Sequence, residues 1–133
     1  MYIRQIIRVV PSLILGLAFV VFGLNFFLHF IEMPPPPKTG YVASYMGAMY
    51  PSGYLGFVKV LEVLGGLLIV VPKLRNLGLL ILGPILVNIV CFQYFFNGAK
   101  ALLDPVLVIL LVSSLAVLWQ ERQKWLGLIG VKN

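Results

Sequence analysis

The chain has 133 residues, 61% of them hydrophobic and 11% charged, with a mean hydropathy of +1.04. Soluble domains carry about 25% charged residues, so this composition excludes an ordinary soluble domain and specifies an integral membrane protein of a few helices. The net charge of +6 follows from Lys and Arg gathering in cytoplasmic loops rather than from nucleic-acid binding, and the lone Cys91 excludes an internal disulfide and Cys-x-x-Cys redox chemistry.

Residues 1–10 place Tyr2, Ile3, Ile6, Ile7 and Val10 on one helical face and Arg4 and Arg8 on another, a short amphipathic segment suited to the headgroup layer. Pro11 then starts the first span or kinks it near its beginning, where a missing N–H costs little. This span covers residues 11–31, roughly 30 Å of helix, enough to cross a bilayer. It is too long for the apolar core of a signal peptide, so it reads as a retained span. Ala18, Phe22, Asn25 and His29 share one face, while Gly16 and Gly23 allow close backbone approach.

The first outer loop, residues 32–53, opens on Glu32-Met-Pro-Pro-Pro-Pro-Lys38, a stiff polyproline spacer. Tyr41, Tyr45, Met46 and Met49 predict a short amphipathic helix lying over the bundle mouth, ended by Pro51-Ser-Gly53. The second span, residues 54–71, holds Lys59 and Glu62 on one face, one turn apart, beside the thin Gly65-Gly66 patch. Lys73, Arg75 and Asn76 form a basic turn, with Asn76 as an N-cap. The third span, residues 77–96, contains Pro84, which predicts a kink, and Asn88 one turn further on. The fourth, residues 101–119, is introduced by the N-cap pair Asp104-Pro105. Its Ser113 and Ser114 can bond back to carbonyls one turn earlier. A polar tail, residues 120–133, follows.

Arg4, Arg8, Lys73, Arg75, Arg122, Lys124 and Lys132 fall on one side of this arrangement, and Lys38 and Lys100 on the other. The excess places both termini in the cytoplasm.

A charge near the bilayer centre costs about 2.5–3.5 kcal/mol on insertion scales, which singles out Lys59 and Glu62. Counting down from the outer helix ends puts Glu62, Asn25 and Asn88 at a similar depth of roughly 12 Å, with Lys59 slightly shallower. Polar groups in lipid pair with one another. The economical arrangement is a cluster of Asn25, Lys59, Glu62 and Asn88, roofed by His29 and the proline loop. Gln93 lies about 140° around the helix from Asn88, so it is assigned to a different face. The cluster reads either as glue that fixes helix register, as a ligand or proton-handling site, or as a snorkelling Lys59 above a lone Glu62. His29 reads as an interfacial residue or as part of the site's mouth. One His and one Cys cannot make a conventional zinc site, and His29 is a weak axial ligand for haem. The aromatic group of Phe26, Phe27, Phe30, Phe57, Phe92, Phe95 and Phe96 is lipid-facing or core, or else forms a slot for a quinone or isoprenoid head.

Phe19-Val-Val-Phe-Gly-Leu-Asn25, Met33-Pro-Pro-Pro-Pro37, Lys59-Val-Leu-Glu-Val-Leu-Gly-Gly66 and Leu82-Gly-Pro-Ile-Leu-Val-Asn88 together resemble the DoxX-like family of small four-span membrane proteins, over about residues 4–120. The chain departs from that pattern at Phe26 and Gln93, where relatives often carry Lys and His. The resemblance implies association with membrane redox systems, as a subunit near quinone-linked chemistry. It also implies a shared site at Asn25, Lys59, Glu62, Gly66 and Asn88.

The sequence therefore predicts an all-α, four-helix integral membrane bundle in a bacterial-type cytoplasmic membrane. Its candidate ligand-binding residues are Asn25, His29, Lys59, Glu62 and Asn88. The expected ligand is a quinone-like molecule, an isoprenoid or a lipid, with no intrinsic cofactor and no metal. The expected role is a membrane subunit or partner of a redox protein within a quinone-linked oxidoreductase system rather than a self-contained enzyme. A proton-coupled transporter using Glu62 and a structural assembly factor are the alternatives, and a homo-oligomer is left open.

Overall fold

The computed structural model describes residues 2–130; Lys132, counted above for orientation, and the rest of 131–133 lie outside the described residues. Among the described residues the chain is helical and contains no strand. The main helices are α1 (Tyr2–Leu28), α2 (Tyr41–Met49), α3 (Tyr54–Val70), α4 (Arg75–Phe92), α5 (Pro105–Gln120) and α6 (Arg122–Leu128).

Pro11 does not start the first span: it lies inside α1, which runs through it from Tyr2 and joins residues 2–10 to the span as one helix. A proline in a helix leaves the carbonyl four residues earlier without its N–H partner. That carbonyl is Ile7 O, and it accepts from Gln120 Nε2 of α5 at 3.4 Å. A tertiary contact thus replaces the lost helical bond.

The far end of α1 also differs from the expected residue 31. The helix stops at Leu28, and His29 takes a left-handed conformation with φ 53°. Asn25 Oδ1 accepts from the main-chain N–H of Ile31 at 2.7 Å. This side chain offers the chain emerging from α1 a substitute acceptor, and His29 is among the residues that tolerate positive φ.

α3 lies between α1 and α4. Its Gly66 meets α1 and its Gly65 meets α4, so the double glycine serves both neighbours. α1 also packs along α5, while α4 and α5 are separated by an apolar groove of about 540 Å³ that includes Pro84, Cys91 and Leu115. The buried core runs through Leu15, Phe19, Ile69, Leu79, Leu82, Leu86, Leu110 and Val117. Outward, large apolar side chains such as Leu17, Leu67, Leu80, Val112 and Leu115 are exposed, the surface a bilayer covers.

Two helices, Tyr2–Leu28 and Pro72–Asn97, are long and apolar enough to cross a membrane; there are up to four if α2–α3 and α5–α6, bent by 83° and 71°, each count as one span. The 17 residues of α3 and 16 of α5 cover roughly 26 Å and 24 Å at the helical rise, a little less than the roughly 30 Å hydrocarbon layer. The chain is a helical membrane protein with two to four candidate spans.

The turn between α3 and α4 is a short 3-10 segment, Pro72–Leu74. It brings the start of α4 forward to Arg75, so Asn76 lies inside the first turn and is not the expected N-cap. Arg75 is buried at 8% exposure, and its Nε donates to Ile69 O at 3.0 Å. The guanidinium thereby satisfies a carbonyl orphaned at the end of α3. Asn76 accepts from Trp125 Nε1 at 3.0 Å and donates to Glu121 Oε2 at 3.5 Å. The polar tail therefore folds back as α6 and fastens to α4. The Asp104 cap forms as expected, with Leu107 N donating to Oδ2 at 3.2 Å ahead of α5. Ser114 bonds back to Leu111 O at 2.8 Å.

Candidate functional site

A cavity of about 1040 Å³ opens at the loop end of the bundle, opposite the termini. Its floor is apolar, built from Ala18 and Phe19 of α1, Ile89 of α4 and Leu110 of α5. Its waist holds Asn25, Lys59, Glu62 and Gln93, and its mouth is framed by His29, Glu32, the Pro34–Pro36 stretch, Tyr50 and Asp104.

Lys59 and Glu62 are one turn apart on α3, and their side chains meet, Nζ to Oε2, at 3.3 Å. The Glu62 side chain is 6% exposed and that of Lys59 24%. The lysine is thus the more accessible member of the pair and the carboxylate the buried one. Gly23 of α1 makes this geometry accessible: a Cβ there would stand 2.6 Å from Val63 Cγ2 and 3.2 Å from Lys59 O. Only a bare backbone lets α1 lie this close to the Lys59 turn.

Asn25 enters the same cavity from α1 and is buried. Its bond to Ile31 N also anchors the chain leaving α1. His29 stands exposed at the rim, on the left-handed residue that turns the backbone outward. α2 crosses nearly at right angles to α3, bent by 83°, and supplies Met46 and Gly47 to the cavity wall, with Tyr50 and Pro51 following it. The edge of the Phe26 ring meets Tyr50, centroids 5.5 Å apart. This is the roof that the proline loop and its short helix predict.

Asn88 is a correction. It is exposed, lies outside the cavity wall and donates to Tyr45 Oη of α2 at 3.4 Å. Gln93, assigned to another face by the sequence, lines the cavity instead. The two residues do lie on different sides, and the inward one is Gln93. The buried stripe of Leu79, Leu82 and Leu86 on α4 continues at the same three-and-four spacing to Ile89 and Gln93, but with apolar residues on every face of this helix the sequence does not mark that stripe. Glu32 and Asp104 were also missed as wall residues, because the one sat in a spacer and the other was fully accounted for as a helix cap. Tyr45 joins Phe92 and Phe96 in an aromatic cluster that clamps α2 to the end of α4, beyond which the chain forms a π-helical turn at Gln93–Asn97. Such turns often accompany functional sites.

Among the described residues no three His, Cys, Asp or Glu side chains are placed to hold a metal ion. The site's capacity lies in one internal ion pair, two amides and a deep apolar floor. Such a lining can solvate an apolar group at the floor and hydrogen-bond a polar one at the waist.

The chain is 30% identical over 132 residues to the "Uncharacterized protein YwoB" of Bacillus subtilis (strain 168), across 95% of this chain and 84% of that protein. It belongs to the YwoB family. No family model matches the chain. No solved structure matches it. Because the match covers nearly the whole chain, it includes the helices α1 to α5 and the loop that surround the cavity.

Proposed function

We propose that the protein is a four-span bundle of a bacterial-type cytoplasmic membrane, both termini inside, that holds a quinone-like or other lipid ligand in its outer-half cavity. It acts as a membrane subunit or partner in a quinone-linked redox assembly, the role that the DoxX-like resemblance implies. The observation that carries the ligand reading is the meeting of Asn25, Lys59, Glu62 and Gln93 above an apolar floor in a cavity of about 1040 Å³. Ligand pockets of this kind are mostly apolar, with a few placed polar groups, and run to about 1,000 Å³. Orientation rests on the positive-inside excess, and the short α3 and α5 cross by local thinning or with the help of their bent partners.

The test is extraction. Protein purified in mild detergent is expected to carry a stoichiometric lipid-soluble compound, identified by mass spectrometry. Glu62→Gln, or Ala18→Trp to fill the floor, should lose it while remaining folded. Purification with no bound compound, or equal content in both variants, sinks the ligand reading and leaves the ion pair as structural glue.

A further inference from the structure

The bonds already made inside the cavity restrict what its ligand can be. Asn25 Oδ1 is committed to the main-chain N–H of Ile31. A main-chain N–H can only donate, so the carbonyl oxygen must face it and the orientation of the amide is fixed. The Nδ2 group, which makes no hydrogen bond among the described residues, is what Asn25 has left to offer. Lys59 lies 3.3 Å from Glu62 through one of its three N–H donors. Two donors therefore remain unengaged by that pair. The waist thus presents donors from two different helices, α1 and α3.

Charge narrows the choice further. The cavity wall carries one cationic side chain, Lys59, against three carboxylates, Glu32, Glu62 and Asp104. The cation is already neutralised by its neighbour. An anionic headgroup entering here meets like charge at the mouth and a spent counterion at the waist. A neutral oxygen acceptor carries no charge for these carboxylates to repel and can take the free donors of Asn25 and Lys59.

We infer that this site takes a ligand with a neutral, hydrogen-bond-accepting carbonyl oxygen, of the quinone type, held by Asn25 Nδ2 and Lys59 Nζ, and discriminates against anionic lipid headgroups. This rests on the ligand reading proposed above. No electron transfer is part of it.

The experiment compares two probes with matched tails, a decyl-substituted benzoquinone and decanesulfonate, by equilibrium dialysis against the full chain in neutral detergent micelles. The quinone is expected to bind about tenfold tighter or more, the equivalent of one or two charge-assisted bonds. Asn25→Asp keeps the acceptor for Ile31 N–H but removes the donor, and should weaken quinone binding about fivefold. Lys59→Met should weaken it to a similar degree. An independent readout on the unaltered chain is infrared spectroscopy, where the bound quinone carbonyl stretch should move to lower frequency than in empty micelles. Equal or tighter binding of the sulfonate, or an unshifted carbonyl band, overturns the inference and leaves the ligand reading standing. If neither probe binds, the ligand reading falls and the inference falls with it.

Discussion

Gly16 on α1 and Gly66 on α3 face each other so closely that a Cβ on either would stand 2.7 Å from the other's carbonyl oxygen. The clash is with backbone on both sides, so no rotamer change can relieve it. Gly16→Ala and Gly66→Ala are each expected to destabilise the bundle by about 1–3 kcal/mol. Gly83 has open space around its Cβ position, so Gly83→Ala should gain up to about 1 kcal/mol through helix propensity. Thermal unfolding in detergent checks both signs. A neutral Gly16→Ala would mean that α1 and α3 do not cross at this point.

The Lys59–Glu62 pair couples energetically as well as spatially. Removing one partner strands the other in a low-dielectric interior, at about 3 kcal/mol for a well-buried pair. The two losses should be unequal. Glu62 is 6% exposed against 24% for Lys59, and a freed Lys59 can extend toward the mouth. Lys59→Met should therefore cost more than Glu62→Gln, and the double variant less than the sum. A double-mutant cycle in chemical denaturant measures this. Strict additivity would show that the two side chains do not interact.

Pro11 and Gln120 should also be coupled. Gln120 Nε2 serves the Ile7 carbonyl that Pro11 leaves free. Pro11→Ala returns an N–H to that carbonyl. Gln120→Met is then expected to lose little in the Pro11→Ala background and to cost about 1 kcal/mol more in the parent. Gln120 Oε1 is buried without a partner, which lowers the cost of the single substitution and makes the coupling energy the quantity to measure.

At the termini end, Trp125 holds α6 to α4 through Asn76, at 3.0 Å. Trp125→Phe keeps most of the ring's packing but loses the donor, and should cost about 1 kcal/mol. Asn76→Leu should add little on top of Trp125→Phe, except for its weaker link to Glu121. Amide exchange across residues 122–128 is the direct readout, and it should accelerate in both variants.

Orientation can be read with labels. In a Cys91→Ser background, Lys38→Cys should react with a membrane-impermeant maleimide in intact cells. Lys124→Cys should react only after lysis. The reverse pattern would invert the proposed topology.

Some of this was determined by the sequence alone, because it is local. The apolar runs mark which stretches form the membrane helices, and the spacing of three brings Lys59 to Glu62 inside one helix. Asp104-Pro105 starts α5, and the four prolines break the chain where the roof begins. These features need no partner element. The tertiary structure decided the rest. It put Gln93 in the cavity and Asn88 outside, since in a membrane helix apolar residues face both lipid and core and periodicity points nowhere. It turned Asn25 into an anchor for Ile31 with a donor to spare. It buried Arg75 against Ile69, drew Trp125 onto Asn76, and brought Gln120, from the other end of the chain, to the Ile7 carbonyl that Pro11 leaves free. Each of these last three contacts answers a polar group that has no partner within its own helix, and the chain order alone does not say which distant side chain will be in place to answer it.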